Sequence, residues 1–186
     1  MKPKPVDVRP ATPEDVDAIV DVHIASWKLA YRGKMPDAFL EHLGEQGSVR
    51  AAGWHAAVAA IDQRVLIAQR EGRVIGFAAL GRARDPDGGG AGEVYAIYAH
   101  PAAWDTGAGR ALMRTALEQL RELGYQEATL WVLDSNERAR RFYEKGGWRA
   151  DGATKLDQRF DPPLHEVRYR IVLAAAATGR YGAGVA

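Results

Sequence analysis

The sequence contains no cysteine. Disulfides, thiolate metal sites and a cysteine nucleophile are therefore excluded together. Net charge is almost absent: 25 Lys and Arg stand against 24 Asp and Glu, a formal balance of +1. Such a balance gives no broad attraction to nucleic acid or membrane, and no block of like charge forms a binding tail. No apolar run approaches the ~18 residues of a membrane span. The opening "MKPKPVDVRP" lacks the apolar core of a signal peptide. A cytoplasmic chain with neither membrane nor nucleic-acid partner is expected. His55, His100 and His165 show no metal-ligand spacing, so no metal is expected either.

What the chain does have is enough apolar content, 47% of 186 residues, for one core. One domain over 1–173 is expected, followed by a frayed low-complexity tail over 174–186. "VDVRP" reads as a first strand. A helix follows in "ATPEDVDAIVDVHIASWKLAYRG", with Thr12 as cap and Pro13 at its first position. "PDAFLEHL" and "VRAAGWHAAVA" read as short helices, the second capped by Ser48. "RVLIAQREGRVIGFAALGRA" is a hairpin about Gly72. "RDPDGGGAG" (84–92) is glycine-rich and is expected to be mobile. "EVYAIYAHP" is a strand, 108–123 a helix, "EATLWVL" a strand. "SNERARRFYEKGGW" is a helix with Ser135 as cap and Gly146 just past its end, and "HEVRYRIVL" is the last strand. The order β-α-α-β-β-β-α-β-α-β specifies a mixed α/β fold, with antiparallel strands early and a crossover later.

The stretch "YAIYAHPAAWDTGAGRALM" (95–113) runs from a strand through a glycine turn into a helix. The first N–H groups of a helix lack internal partners and carry a partial positive charge. Gly107 and Gly109 let the backbone approach an anion, and Arg110 adds a cation. A dinucleotide fingerprint fails, because Leu112 stands at its third glycine. A nucleotide P-loop fails for want of the Gly-Lys-Ser/Thr ending. A ligand-free tight turn also fits these residues. Asp105, an anion, stands in the turn itself.

Two motifs in order separate the readings. "EVYAIYAHPAAWDTGAGRALM" resembles the coenzyme motif of the GNAT superfamily of N-acetyltransferases. "LWVLDSNERARRFYEKGGWR" resembles that family's second motif. The resemblance spans roughly residues 6–171 and is most specific over 93–148. It implies a GNAT-like central twisted mixed sheet, with antiparallel N-terminal strands and helices on both faces. It also implies acetyl-CoA as acyl donor, and direct transfer of an acetyl group to a primary amine.

Carried over residue by residue, the resemblance places Ile97, Tyr98 and Ala99 along the pantetheine arm. It places Trp104, Asp105, Thr106, Gly107, Ala108, Gly109 and Arg110 at the pyrophosphate. Trp104 and Asp105 depart from the family pattern, which predicts weakened coenzyme binding unless Asp105 turns outward. Asn136 and Tyr143 are seven apart, nearly one helical face with a drift of about 20°. Asn136 then meets the pantetheine arm, and Tyr143 is the general acid for the leaving thiolate. Glu93 is the candidate base for the amine. Trp27 and Tyr31, four apart on the first long helix, wall the amine pocket. Expected partners are a small-molecule or peptide amine, including an amino acid or protein N-terminus, in a monomer or homodimer. A second reading is a non-catalytic GNAT-like sensing or docking module with a degraded coenzyme site.

Overall fold

The computed structural model describes residues 4–158 and 160–173. The expected tail over 174–186 lies outside the described residues. The strands are β1 (Asp7–Pro10), β2 (Gln63–Arg70), β3 (Arg73–Arg82), β4 (Gly92–Ala99), β5 (Glu127–Leu133), β6 (Arg149–Asp157) and β7 (Leu164–Val172). They form one sheet in the order β1-β2-β3-β4-β5-β7-β6. Only β4 and β5 pair in parallel; every other neighbour is antiparallel. The helices are α1 (Val16–Ala30), α2 (Asp37–Glu41), α3 (Gly47–Ala59), α4 (Ala108–Glu122) and α5 (Glu137–Lys145).

The central strands are apolar on both sides because both faces of the sheet are covered. Leu66, Ala68, Ala78, Leu80 and Val94 pack under Leu112, Ala116 and Leu120 of α4. Their alternate neighbours Val65, Ile67, Phe77 and Ala79 pack under Ile19 and Val22 of α1, with Trp54 and Val58 of α3. This period of two places the chain's two helical pairs on opposite faces.

Three local expectations change. A one-turn 3-10 segment, Pro13–Asp15, precedes α1. There Asp15 accepts the Thr12 backbone N–H at 2.8 Å and two bonds from the Arg9 guanidinium at 2.7 and 2.8 Å. The third helix starts at Gly47 after Gln46, two residues earlier than a Ser48 cap would place it. β6 was not expected at all: it is an exposed edge strand, polar along most of its length, and carries no apolar alternation to announce it.

Candidate active site at a strand wedge

β4 and β5 pair only at Gly92–Ala128 and Glu93–Thr129. Both strands continue, to Ala99 and Leu133, so they diverge and leave a wedge between them. A bulge at Tyr95 accompanies the divergence: Ala79 faces Ala96, but Leu80 faces Val94. Such a bulge bends the strand and raises its twist.

Strand alternation decides which backbone groups face the wedge. The His100 N–H donates to the Ile75 carbonyl of the β3 side at 2.8 Å. Hydrogen-bonded and free positions alternate along an antiparallel pair. Tyr98 therefore also turns its backbone to β3, while Ile97 and Ala99 turn theirs into the wedge. The Ala99 carbonyl is taken by Ser26 Oγ at 2.9 Å and Trp104 Nε1 at 2.8 Å. Both polar groups of Ile97 and the Ala99 N–H remain directed at the opening.

The wedge opens at the carboxyl ends of two parallel strands, where α/β sheets characteristically take ligands. Two helices begin there. α4 follows Gly107, whose φ of 94° only glycine adopts freely. Its first N–H groups, around Ala108, Gly109 and Arg110, have no partner within the helix. α5 follows Asn136, whose Oδ1 accepts the Ala139 N–H at 3.2 Å. The cap is thus Asn136 rather than Ser135, and its amide N–H groups are left over for another partner. At the far end Gly147, with φ 89°, takes the left-handed position expected of Gly146.

Asp105 does not face the helix mouth as a bare charge. Its carboxylate pairs with Arg138 of α5 at 2.9 Å. The same guanidinium lies 4.4 Å from the centroid of the Trp104 ring. Thr106 Oγ1 donates to Ala103 O at 2.7 Å, and Arg70 Nη2 donates to the Thr106 carbonyl and hydroxyl at 3.2 Å. The turn is held by Arg70 from β2 and by its own bonds, with the Trp104 and Thr106 N–H groups donating to the Pro101 and Ala103 carbonyls at 3.1 and 3.4 Å; the N–H groups open to a ligand are those of the first turn of α4.

Tyr143 reaches the wedge from the α5 side and is 8% exposed. Burial, then the neighbouring Tyr98 phenol, pushes its pKa well above the ordinary tyrosine value. Tyr31 and Tyr98 approach from the α1 face, with their hydroxyls 3.2 Å apart. Burial, then Tyr98 and, more weakly, Tyr143, raises the Tyr31 pKa well above its usual range. Three phenols from three elements thus sense one another across the opening. Trp27 packs edge-on to Tyr31 at 5.1 Å, and His23 stacks on Tyr98 at 5.4 Å. Burial, then the Arg50 charge, pushes His23 down to about 4, so it is neutral at physiological pH.

The carboxylate of Glu93 differs from the free base expected. It is 1% exposed. Arg84 holds it through the backbone N–H at 2.9 Å, Nε at 3.3 Å and Nη2 at 2.6 Å. A base needs an open lone pair within reach of the amine or a water, and this one is spent on the loop. The glycine-rich loop is correspondingly tied down, not loose. Arg168 binds Asp87 at 2.7 and 2.9 Å and Asp85 at 3.3 Å, and Trp131 Nε1 donates to Asp85 at 2.9 Å. The composition showed the glycines; it could not show partners on β5 and β7.

This geometry has known counterparts. The acetyltransferase (GNAT) family profile matches residues 26–148. The uncharacterized N-acetyltransferase YuaI of Bacillus subtilis is 35% identical over 132 residues, which are 70% of this chain and 73% of that one. The chain belongs to the GNAT acetyltransferase family. The GNAT fold is also seen in the PaiA N-acetyltransferase of Thermoplasma acidophilum, crystallised in complex with coenzyme A. It aligns with TM-score 0.74 and 20% identity over 91% of this chain and 99% of that one. The YncA acetyltransferase of Salmonella typhimurium, solved with acetyl-CoA, aligns with TM-score 0.68 and 21% identity over 94% and 97%. As a GNAT member the chain is an acetyl-CoA-dependent N-acetyltransferase.

The residues present fit that coenzyme. Ile97 and Ala99 offer unpaired strand groups at the wedge, and Asp105 is drawn to Arg138 beside the Gly107 turn, so the donor set there suits a phosphorylated coenzyme. Sequence reasoning missed Arg138, Arg84, Arg70 and Arg50. Arg138 lies 33 residues from Asp105, and no local pattern signals such a pairing. Among the described residues no group of three or more His, Asp or Glu side chains is arranged to hold a metal, and no helix is long and apolar enough to cross a membrane.

Proposed function

We propose that this chain transfers an acetyl group from acetyl-CoA directly to a primary amine in the β4–β5 wedge. The observation that carries the reading is the meeting there of two faces. The α4 and α5 N-termini stand on one side, and the aromatic group of α1 stands on the other. Acetyl-CoA supplies an acetyl thioester. Ile97 and Ala99 align the pantetheine arm as an added strand would, with Asn136 donating to it. The N–H groups from Gly107 to Arg110 hold the pyrophosphate, flanked by Trp104, Asp105 and Thr106. Trp27 and Tyr31 wall the amine.

As the amine nitrogen forms its bond to the acetyl carbon, the carbon–sulfur bond breaks. Tyr143 gives its proton to the departing sulfur and is reprotonated from solvent. Its raised pKa keeps that proton in place across the physiological range. The amine proton passes to water, because Glu93 is engaged by Arg84. Holding both reactants in one cleft supplies much of the rate. The acceptor is a small-molecule or peptide amine, and the enzyme works in the cytoplasm as a monomer or homodimer.

Tyr143→Phe tests the assignment. Turnover should fall by about a hundredfold, with acetyl-CoA affinity within about twofold of the parent. In the parent, no loss of rate from phenol ionisation should occur below about pH 10. Unchanged turnover in the variant would remove Tyr143 from the chemistry.

A further inference from the structure

Arg50 of α3, Arg70 and Arg121 each have an Nε shut from solvent without a hydrogen-bond partner, and of these Arg50 is the one that lies against the aromatic group of α1. Among the described residues it has no ion pair. Its guanidinium carbon lies 5.6 Å from the centroid of the Trp27 ring. Two groups that feel its charge are themselves neutral: His23, whose buried Nε2 is also unpartnered, and the phenol of Tyr98. Glu166, the acid whose charge reaches Tyr31 and Tyr98, is held by Lys155 at 3.3 Å. A cation–π contact with Trp27 gives roughly 0.5–1 kcal/mol. It satisfies none of the guanidinium donors, and a half-buried charge without a hydrogen-bonding counterpart is costly.

The position gives this guanidinium chemical meaning. Trp27 links Arg50 to the wedge, its ring 6.3 Å from that of Tyr98. The aromatic group carries no charge of its own at neutral pH. The two ring distances place the guanidinium carbon within about 12 Å of the Tyr98 ring, on the Trp27 side where the amine is proposed to enter. A guanidinium presents a planar fork of donors matched to a carboxylate. Resting on the acetyl-transfer reading above, we propose that the acceptor is a small primary amine that also carries a carboxylate, and that Arg50 binds the carboxylate and sets this preference.

Two acceptor pools separate the possibilities. One holds L-α-amino acids, β-alanine and 4-aminobutyrate; the other holds the corresponding carboxamides. Thiol release from acetyl-CoA is followed with each pool, and acetyl-CoA binding is measured calorimetrically on the same preparation. The acid pool should be acetylated at least tenfold faster than the amide pool at equal concentration. Arg50→Met should abolish that preference, mainly by raising KM for the acids, with acetyl-CoA affinity unchanged. Arg50→Lys, which keeps the charge but not the fork, should retain part of the preference and guards against a folding defect in the first variant. Equal rates on both pools, faster rates on the amides, or an Arg50→Met enzyme with its preference intact would each overturn the proposal. So would turnover of neither pool while acetyl-CoA still binds, an outcome that leaves acetyl transfer itself standing. Loss of acetyl-CoA binding in the parent protein would instead sink the reading on which the proposal rests.

Discussion

Asp105 has φ 60°, a left-handed conformation that aspartate and asparagine tolerate better than most residues. Its carboxylate is exposed and paired with Arg138, so its field at the helix mouth is screened twice, by a cation and by water. Asp105→Asn keeps the backbone and releases Arg138. Acetyl-CoA affinity should rise by about threefold or less at low ionic strength, and the gain should fade in concentrated salt. A gain of tenfold or more in titration would mean that Asp105 repels the phosphates directly. Glu93 and Arg84 make the opposite case, a carboxylate that is fully buried and fully engaged. Glu93→Gln should lower stability by about 1–3 kcal/mol while the pH–rate profile keeps its shape. Loss of the acidic limb of that profile would restore Glu93 as the base. From sequence, both residues stand out as acids in the motif, but their surroundings depend on arginines at positions no local pattern signals.

At the scale of elements, the α4 N-terminus is the part whose geometry is set most tightly by one residue. Gly107→Ala places a Cβ in the left-handed region at φ 94°, at a cost of about 1–2 kcal/mol. No neighbouring atom lies within 4 Å of the added Cβ, so strain and not collision is the cause. The expected result is a lower melting temperature together with about tenfold weaker acetyl-CoA binding; stability lost without any loss of binding would detach this turn from the coenzyme. The helices and central strands were readable because their apolar residues repeat with clear periods. α4 shows this best, with Leu112, Ala116 and Leu120 on one face. β6 was not readable, since an edge strand that buries little needs no apolar pattern. The α5 cap was misplaced by one residue because Ser135 and Asn136 are both good capping types, and only geometry shows which side chain accepts the Ala139 N–H. The loop over 84–92 misled for a related reason: glycine content reports chain freedom, whereas Arg168 supplies restraint from β7, two strands along the sheet from β4.

Across the whole molecule, the sheet carries apolar cores on both faces and opens where β4 leaves β5. His23 connects that opening to global stability. Burial and then Arg50 hold it neutral down to about pH 4, whereas an unfolded histidine protonates near pH 6.5. The unfolded chain thus binds the extra proton between those values, and stability falls as pH drops through that window. The loss should reach roughly 2 kcal/mol, and His23→Gln should flatten it; an equal slope in both proteins would assign the acid sensitivity to other groups. The fold class and the family resemblance followed from two ordered motifs, but the wedge itself, built from strand register, alternation and long-range pairs, required coordinates. The central claim is that this wedge takes acetyl-CoA despite Trp104 and Asp105. Its most direct test is calorimetric titration of the purified protein with acetyl-CoA, with NAD as control. Saturable binding of about one acetyl-CoA per chain, with none of NAD, is the expected result; no heat of binding at near-millimolar acetyl-CoA would contradict it.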